Sequence, residues 1–202
     1  MRRLGAVVVV GSVVLLAGCA AESSQFVGVT ASPSTSASVT ASPSPSPSSE
    51  VEDLSDAGLG IVFEDVPTDL TGDEADVYNT VAIYQSAYWR TMTTNTVSPV
   101  FSVIGSAEIK AIMRDTAEGN TAIDATIAGE FRTRVTDVVV DGDQATAVTC
   151  DDYEAVTFAD AERSYTPAEA GFADVRRKEM TLQRVEGQDL WLVQMRTVDG
   201  TC

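Results

Sequence analysis

The chain predicts an α+β domain, with two to three N-terminal helices packed on a curved antiparallel sheet of about four strands. Three observations predict it. Val77, Val81, Tyr84, Tyr88 and Met92 recur at steps of four, three, four and four, which is one face of a long amphipathic helix. From Phe131 onward the apolar period becomes two. The helical pattern precedes all of the strands, as in folds that segregate helices to one side of an antiparallel sheet.

The first helix opens at Thr71, read as the N-cap, with Glu74 three residues later as in a capping box. Asn95 and Pro99 suit its end. A second helical region follows, with Val100 to Ile104 apolar and Ser106 placed to cap a helix carrying Ile109, Ile112 and Met113. Glu118, Gly119 and Asn120 are expected to break it. Phe131, Thr133, Val135 and Asp137 then alternate with Arg132, Arg134 and Thr136, and Val138 to Val140 continue the strand. Asp141-Gly142 signals a two-residue hairpin. Ala145, Ala147 and Thr149 form one face of the returning strand, which Tyr153 to Phe158 would extend. Ala159 to Gly171 reads as a loop. Met180, Leu182 and Arg184 mark the next strand, Glu186-Gly187 a turn, and Trp191, Val193 and Met195 one face of the last strand. Arg176, Arg177 and Lys178 are the only basic run and read as a solvated strand face. Asp151 and Asp152 read as an exposed strand end.

Ahead of the domain the composition changes twice. Residues 51–70 are acidic, with Ile61-Val62-Phe63 a short apolar patch able to dock on the domain of residues 71–202. Residues 19–50 are rich in Ser, Thr, Ala and Pro, culminating in the alternation Ser42-Pro43-Ser44-Pro45-Ser46-Pro47. Such a stretch buries too little apolar surface to offset chain entropy. It reads as a disordered tether, able to span on the order of 90 Å if extended.

Residues 1–18 have the layout of an export signal. Arg2 and Arg3 precede an apolar run from Leu4 to Leu16, which is too short for a membrane span of about 20 residues. Leu16-Ala17-Gly18-Cys19 resembles the lipobox of bacterial lipoprotein signal peptides. The resemblance implies cleavage between Gly18 and Cys19, a diacylglycerol on Cys19, commonly a further palmitate-like acyl chain, and residence on the outer face of the cell membrane. The alternative is a plain secretory signal that leaves Cys19 unmodified.

If Cys19 is lipidated, Cys150 and Cys202 remain as an even pair in an oxidising space, and read as a disulfide. On the chain-entropy account a loop of that length adds about 4 kcal/mol. A metal site or a reactive thiol lacks support, since neither cysteine sits in a Cys-x-x-Cys pair.

There is no histidine, which excludes Ser-His-Asp and Cys-His catalysis and His-based zinc sites. Gly58-Leu59-Gly60 is no phosphate loop, and Asp141-Gly142-Asp143 lacks the further ligands of a calcium loop. The residues therefore assign no catalytic group, no metal and no cofactor. With 30 acidic and 13 basic residues the chain carries a net charge of −17, which disfavours nucleic acid and anionic lipid headgroups as partners.

Several stretches together resemble the NTF2-like (cystatin-like cone) lipoproteins of high-GC Gram-positive bacteria. Besides the lipobox and Ser/Pro linker, they are Ala82 to Trp89, Ser98-Pro99, Val138 to Asp152, Asp189 to Val193 and Gly200 to Cys202. The resemblance covers residues 73–202. It implies a cone with room for a cavity between the first helix and the sheet. Tyr84, Tyr88, Trp89, Phe131 and Trp191 are the candidates to line such a cavity, or to fill the core instead. Relatives with enzyme activity place carboxylates and phenols there. Asp124, Glu130 and Asp151, with Tyr84, Tyr88 and Tyr153, are the groups on hand, though none falls in an alignable motif. The expectation is a non-enzymatic binding domain presented in the cell envelope, with an envelope protein or a small apolar ligand as partner. A carrier or enzyme using the cavity, and a structural subunit of a secretion or transport assembly, are the alternatives.

Overall fold

A computed structural model describes residues 49–202. The export signal, Cys19 and the tether up to residue 48 lie outside the described residues. Eleven elements follow in order: β1 (Ile61–Phe63), α1 (Asp73–Thr94), α2 (Phe101–Ile104), α3 (Ala107–Ala122), β2 (Thr126–Gly129), β3 (Phe131–Asp141), β4 (Gln144–Asp152), β5 (Val156–Ala159), β6 (Ser164–Tyr165), β7 (Arg176–Arg184) and β8 (Trp191–Thr201). The fold is α+β, with the helices against a curved sheet in the order β1-β3-β4-β7-β8. Every pairing in this sheet is antiparallel except β1 with β3.

α1 is the axis of the core. Its N-cap is Gly72 at φ 59°, with no side-chain cap, so Thr71 does not close the expected capping box. Asp73, Glu74 and Asp76 in the first turn favour the positive end of the helix dipole instead. Asn95, left-handed at φ 50°, ends the helix. Burial extends beyond the expected stripe to Ala75, Tyr78, Ala82, Gln85 and Trp89, because sheet, α3 and the N-terminal segment enclose the helix on several sides. In α3 the Ser106 hydroxyl accepts from the Ile109 amide as expected. The helix runs through Gly119, where a side chain would meet open space, and stops at Ala122 ahead of Asp124 at φ 51°. Ser106 also joins α3 to the sheet: its amide donates to the Val193 carbonyl and its hydroxyl to that of Gln194, both at 2.9 Å.

On the inner sheet face the period-two reading holds for Phe131, Thr133 and Val135, for Ala145, Ala147 and Thr149, and for Met180 and Leu182. Asp137 does not continue it. It sits at φ 50° where the β3–β4 register shifts between Thr136 and Val139, and this bulge bends the strand. Gly142 and Asp143, rather than Asp141 and Gly142, are the hairpin turn, since Asp141 pairs with Gln144.

Two segments differ from expectation. Ile61-Val62-Phe63 is not a docked patch but an edge strand in register with Phe131 to Thr133, and Ile61 is fully buried. The folded unit thus includes most of residues 51–70. Val156 to Ala159 do not extend β4. They leave it after Tyr153 and pair with β2, and β6, inside the segment read as a loop, completes a second, three-stranded sheet β2-β5-β6. The crossing between the sheets requires Gly129 at φ 99°, where a Cβ would lie 2.4 Å from the Ala155 carbonyl oxygen.

Cys150, on the outer face of β4, is bonded to Cys202, 52 residues later, with the Cα atoms 5.9 Å apart. The Cys202 amide donates to the Val175 carbonyl at 3.0 Å, so the chain terminus hooks over the start of β7.

Candidate functional site

The space between α1 and the sheet contains a polar cluster within an apolar shell. Asp151 belongs to the same face as Ala147 and Thr149, and Lys178 to that of Met180 and Leu182, so strand alternation turns both inward. Asp151 is fully buried and Lys178 is 1% exposed, so neither the exposed strand end nor the solvated basic face of the sequence reading holds for them. Lys178 Nζ donates to Asp151 Oδ2, and at 3.3 Å to the Tyr153 hydroxyl. It also stands 4.6 Å from the centre of the Tyr88 ring. Asp151 Oδ1 accepts from Thr133 Oγ1 at 2.8 Å and from Gln85 Nε2, which also reaches Thr133 Oγ1 at 2.9 Å. The hydroxyls of Tyr88 and Tyr153 are 3.1 Å apart.

Burial holds the pKa of the Tyr153 hydroxyl well above the ordinary tyrosine value, and the neighbouring Tyr88 and Asp151 add to this. Tyr84 is raised by burial as well, against a lowering by Arg196. These phenols are neutral at any physiological pH; the Tyr153 hydroxyl is hydrogen-bonded to Lys178 and Tyr88, while the buried Tyr84 hydroxyl has no partner among the described residues. Both Asp151 carboxylate oxygens and the Lys178 ammonium have hydrogen-bond partners, while Gln85 Oε1 at the edge of the cluster is buried without one among the described residues. The cluster ties α1, β3, β4 and β7 together and turns no ionised group toward a described cleft.

The five residues expected to line a cavity are all buried. Trp89 stacks on Phe131 at 5.1 Å and donates from Nε1 to the Leu59 carbonyl at 2.9 Å. Tyr88 meets Phe131 edge-on at 6.1 Å, Tyr84 meets Phe101 at 5.4 Å, and the Arg184 guanidinium lies 4.4 Å over Trp191. None of the five lines the clefts described here. Of the other expected acids, Glu130 pairs with Arg132 at 2.7 Å, and Asp124 is exposed just beyond α3. Gln85, Thr133 and Lys178 are the members that residue reading missed, and of these Lys178 carried a legible signal. Its signal was parity, since it lies two residues before Met180 and four before Leu182.

Two clefts flank the 166–174 segment between β6 and β7. One, of about 320 Å³, is lined by Met92, Asn120, Ile127, Phe158, Tyr165 and Phe172, among others. The second, of about 420 Å³, is lined by Ala168, Gly171, Asp174, Arg176, Val198 and neighbours.

No protein-family profile matches the chain, and no curated protein matches it. Among solved structures, the chain is similar to the intermembrane space region of the chloroplast protein ARC6. The TM-score is 0.45 at 14% identity, over 62% of this chain and 95% of that one.

Proposed function

We propose that this protein is a lipid-anchored, extracytoplasmic lipoprotein that presents an NTF2-like domain as a non-enzymatic binding module of the cell envelope. The observation that supports the non-enzymatic part is the Asp151–Lys178 cluster, which is buried between α1 and the sheet and lines none of the described clefts. The anchor rests on Leu16-Ala17-Gly18-Cys19 and the export signal before it. A disulfide between Cys150 and Cys202 suits an oxidising compartment. The partner is an envelope protein or a small apolar ligand. The cleft of about 320 Å³ beside Phe158 and Phe172 favours the ligand, being at the lower end of the size range of ligand pockets.

Fractionation of cells producing the wild-type chain and Cys19→Ala tests this reading. The wild type is expected with the membranes and the variant in the soluble or secreted fraction, since acyl chains supply the attachment. Equal distribution of the two would contradict it.

A further inference from the structure

The cleft of about 320 Å³ beside Phe158 stands open with every element in place. Its floor is apolar, made by Met92, Ile127, Phe158 and Phe172, and Ile123, 55% exposed, stands at its edge. Hydrogen bonds tie its walls together. The Asn95 side-chain amide donates to the Ala125 carbonyl at 2.7 Å, the Ala161 amide to the Ile123 carbonyl at 3.3 Å, and the Tyr165 hydroxyl to Asp160 Oδ2. These bonds join the end of α1, the turn from α3 into β2 and the turn between β5 and β6.

The charge in this lining has one sign. Asp160 and Glu169 are its charged residues, and neither a lysine nor an arginine lines the cleft. The bond from Tyr165, with those from the Arg163 and Glu162 amides, holds the Asp160 carboxyl below its usual range. The Thr166 amide, Arg163 and the Thr166 hydroxyl hold Glu169 down to about 2. Both are therefore carboxylates at physiological pH. Glu169 has a counter-ion in Arg163 at 2.8 Å, whereas Asp160 makes no ion pair among the described residues. Its donors, the Tyr165 hydroxyl and two backbone amides at 2.8 and 3.0 Å, are neutral and leave its charge uncompensated. Arg176, which stacks on the Phe172 ring, lines the neighbouring cleft and not this one.

We propose that this cleft binds a small apolar amine as its ammonium ion, with the apolar body on Phe158 and Ile127 and the ammonium on Asp160. An anion would face two carboxylates, and a neutral apolar molecule would leave Asp160 without a counter-ion. A net charge of −17 also raises the local concentration of cations. This ligand class rests on the reading of the domain as a binding module.

Titration of the full chain with 1-naphthylmethylammonium, followed by amide NMR shifts and calorimetry, tests the proposal. The ammonium should bind about tenfold more tightly than neutral 1-naphthylmethanol, as a hydrogen bond to a charged group predicts. The anion 1-naphthoate should bind more weakly than the alcohol. Shifts should centre on Ile127, Phe158 and Tyr165. Asp160→Asn should bring the ammonium to the affinity of the alcohol, and Glu179→Gln, at an exposed position of β7, should leave it unchanged. Ammonium binding no tighter than that of the alcohol would overturn the proposal, as would shifts scattered over the acidic surface or full ammonium affinity in a folded Asp160→Asn chain. If Asp160→Asn does not fold, the comparison of the ammonium, the alcohol and the anion on the wild type decides. Such a failure leaves the membrane anchor standing, because release by Cys19→Ala reads that separately.

Discussion

Lys178 and Asp151, on the adjacent strands β7 and β4, form an ion pair whose side chains are 2% and 0% exposed. Removing both charges from water is costly, and the gain depends on the hydrogen bonds from Gln85, Thr133 and Tyr153 that complete the pair. Asp151→Leu or Lys178→Met alone should therefore destabilise the domain by about 3–5 kcal/mol, since each leaves a buried charge unmatched. The double variant Asp151→Leu/Lys178→Met should recover most of that loss. Urea unfolding of the four chains gives the coupling, and an additive double variant would refute a mutual role.

The link from Cys150 to Cys202 closes a span of 52 residues. Replacing both by serine should lower stability by about 4 kcal/mol on the chain-entropy account. Equilibrium unfolding of the serine variant against the oxidised parent checks it, and a difference under about 1 kcal/mol would argue against the loop-closure explanation.

Opposite outcomes are expected at two glycines. A Cβ at Gly129 would sit 2.4 Å from the Ala155 carbonyl oxygen at φ 99°, so Gly129→Ala should cost more than about 1 kcal/mol. Gly119 lies inside α3 with nothing within 4 Å, so Gly119→Ala should stabilise by about 0.5–1 kcal/mol. Thermal melts of both variants test the pair of signs.

Alkaline pH should weaken the fold through its buried phenols. Burial pushes Tyr78 up to about 12, with Asp53 adding to the effect, while an unfolded tyrosine titrates at its ordinary value of 10.0. The unfolded chain therefore loses its proton first. The contribution is fully present below pH 10 and is lost as pH rises toward 12. Stability measured in urea should be flat across neutral pH and fall above pH 10, with a shallower fall for Tyr78→Phe. An identical slope in both chains would count against it.

What the residues disclosed follows their local physics. The helix from Asp73 and the four long strands were legible because their apolar periods are long, despite the breaks at Asp137 in β3 and at Met195 in β8, and Asn95 and Ser106 were legible as caps. β1 and the β2-β5-β6 sheet were not, because strands of two to four residues are too short for a period to register. The inward turn of Asp151 and Lys178 was hidden by residue type. Carboxylates and lysines are almost never fully buried unless paired, and the partner of each lies 27 positions away on another strand. The packing of Phe172 against Phe158, Tyr153 and Arg176 joins residues from separate segments, which no local pattern encodes.

The central claim, an anchored envelope module, is tested most directly by the intact mass of the non-reduced protein extracted from membranes. The account predicts a chain that begins at Cys19, carries a diacylglycerol there with any further acyl chain, and is two hydrogens lighter for the disulfide between Cys150 and Cys202. A chain that retains Met1, or begins elsewhere without lipid, would contradict it.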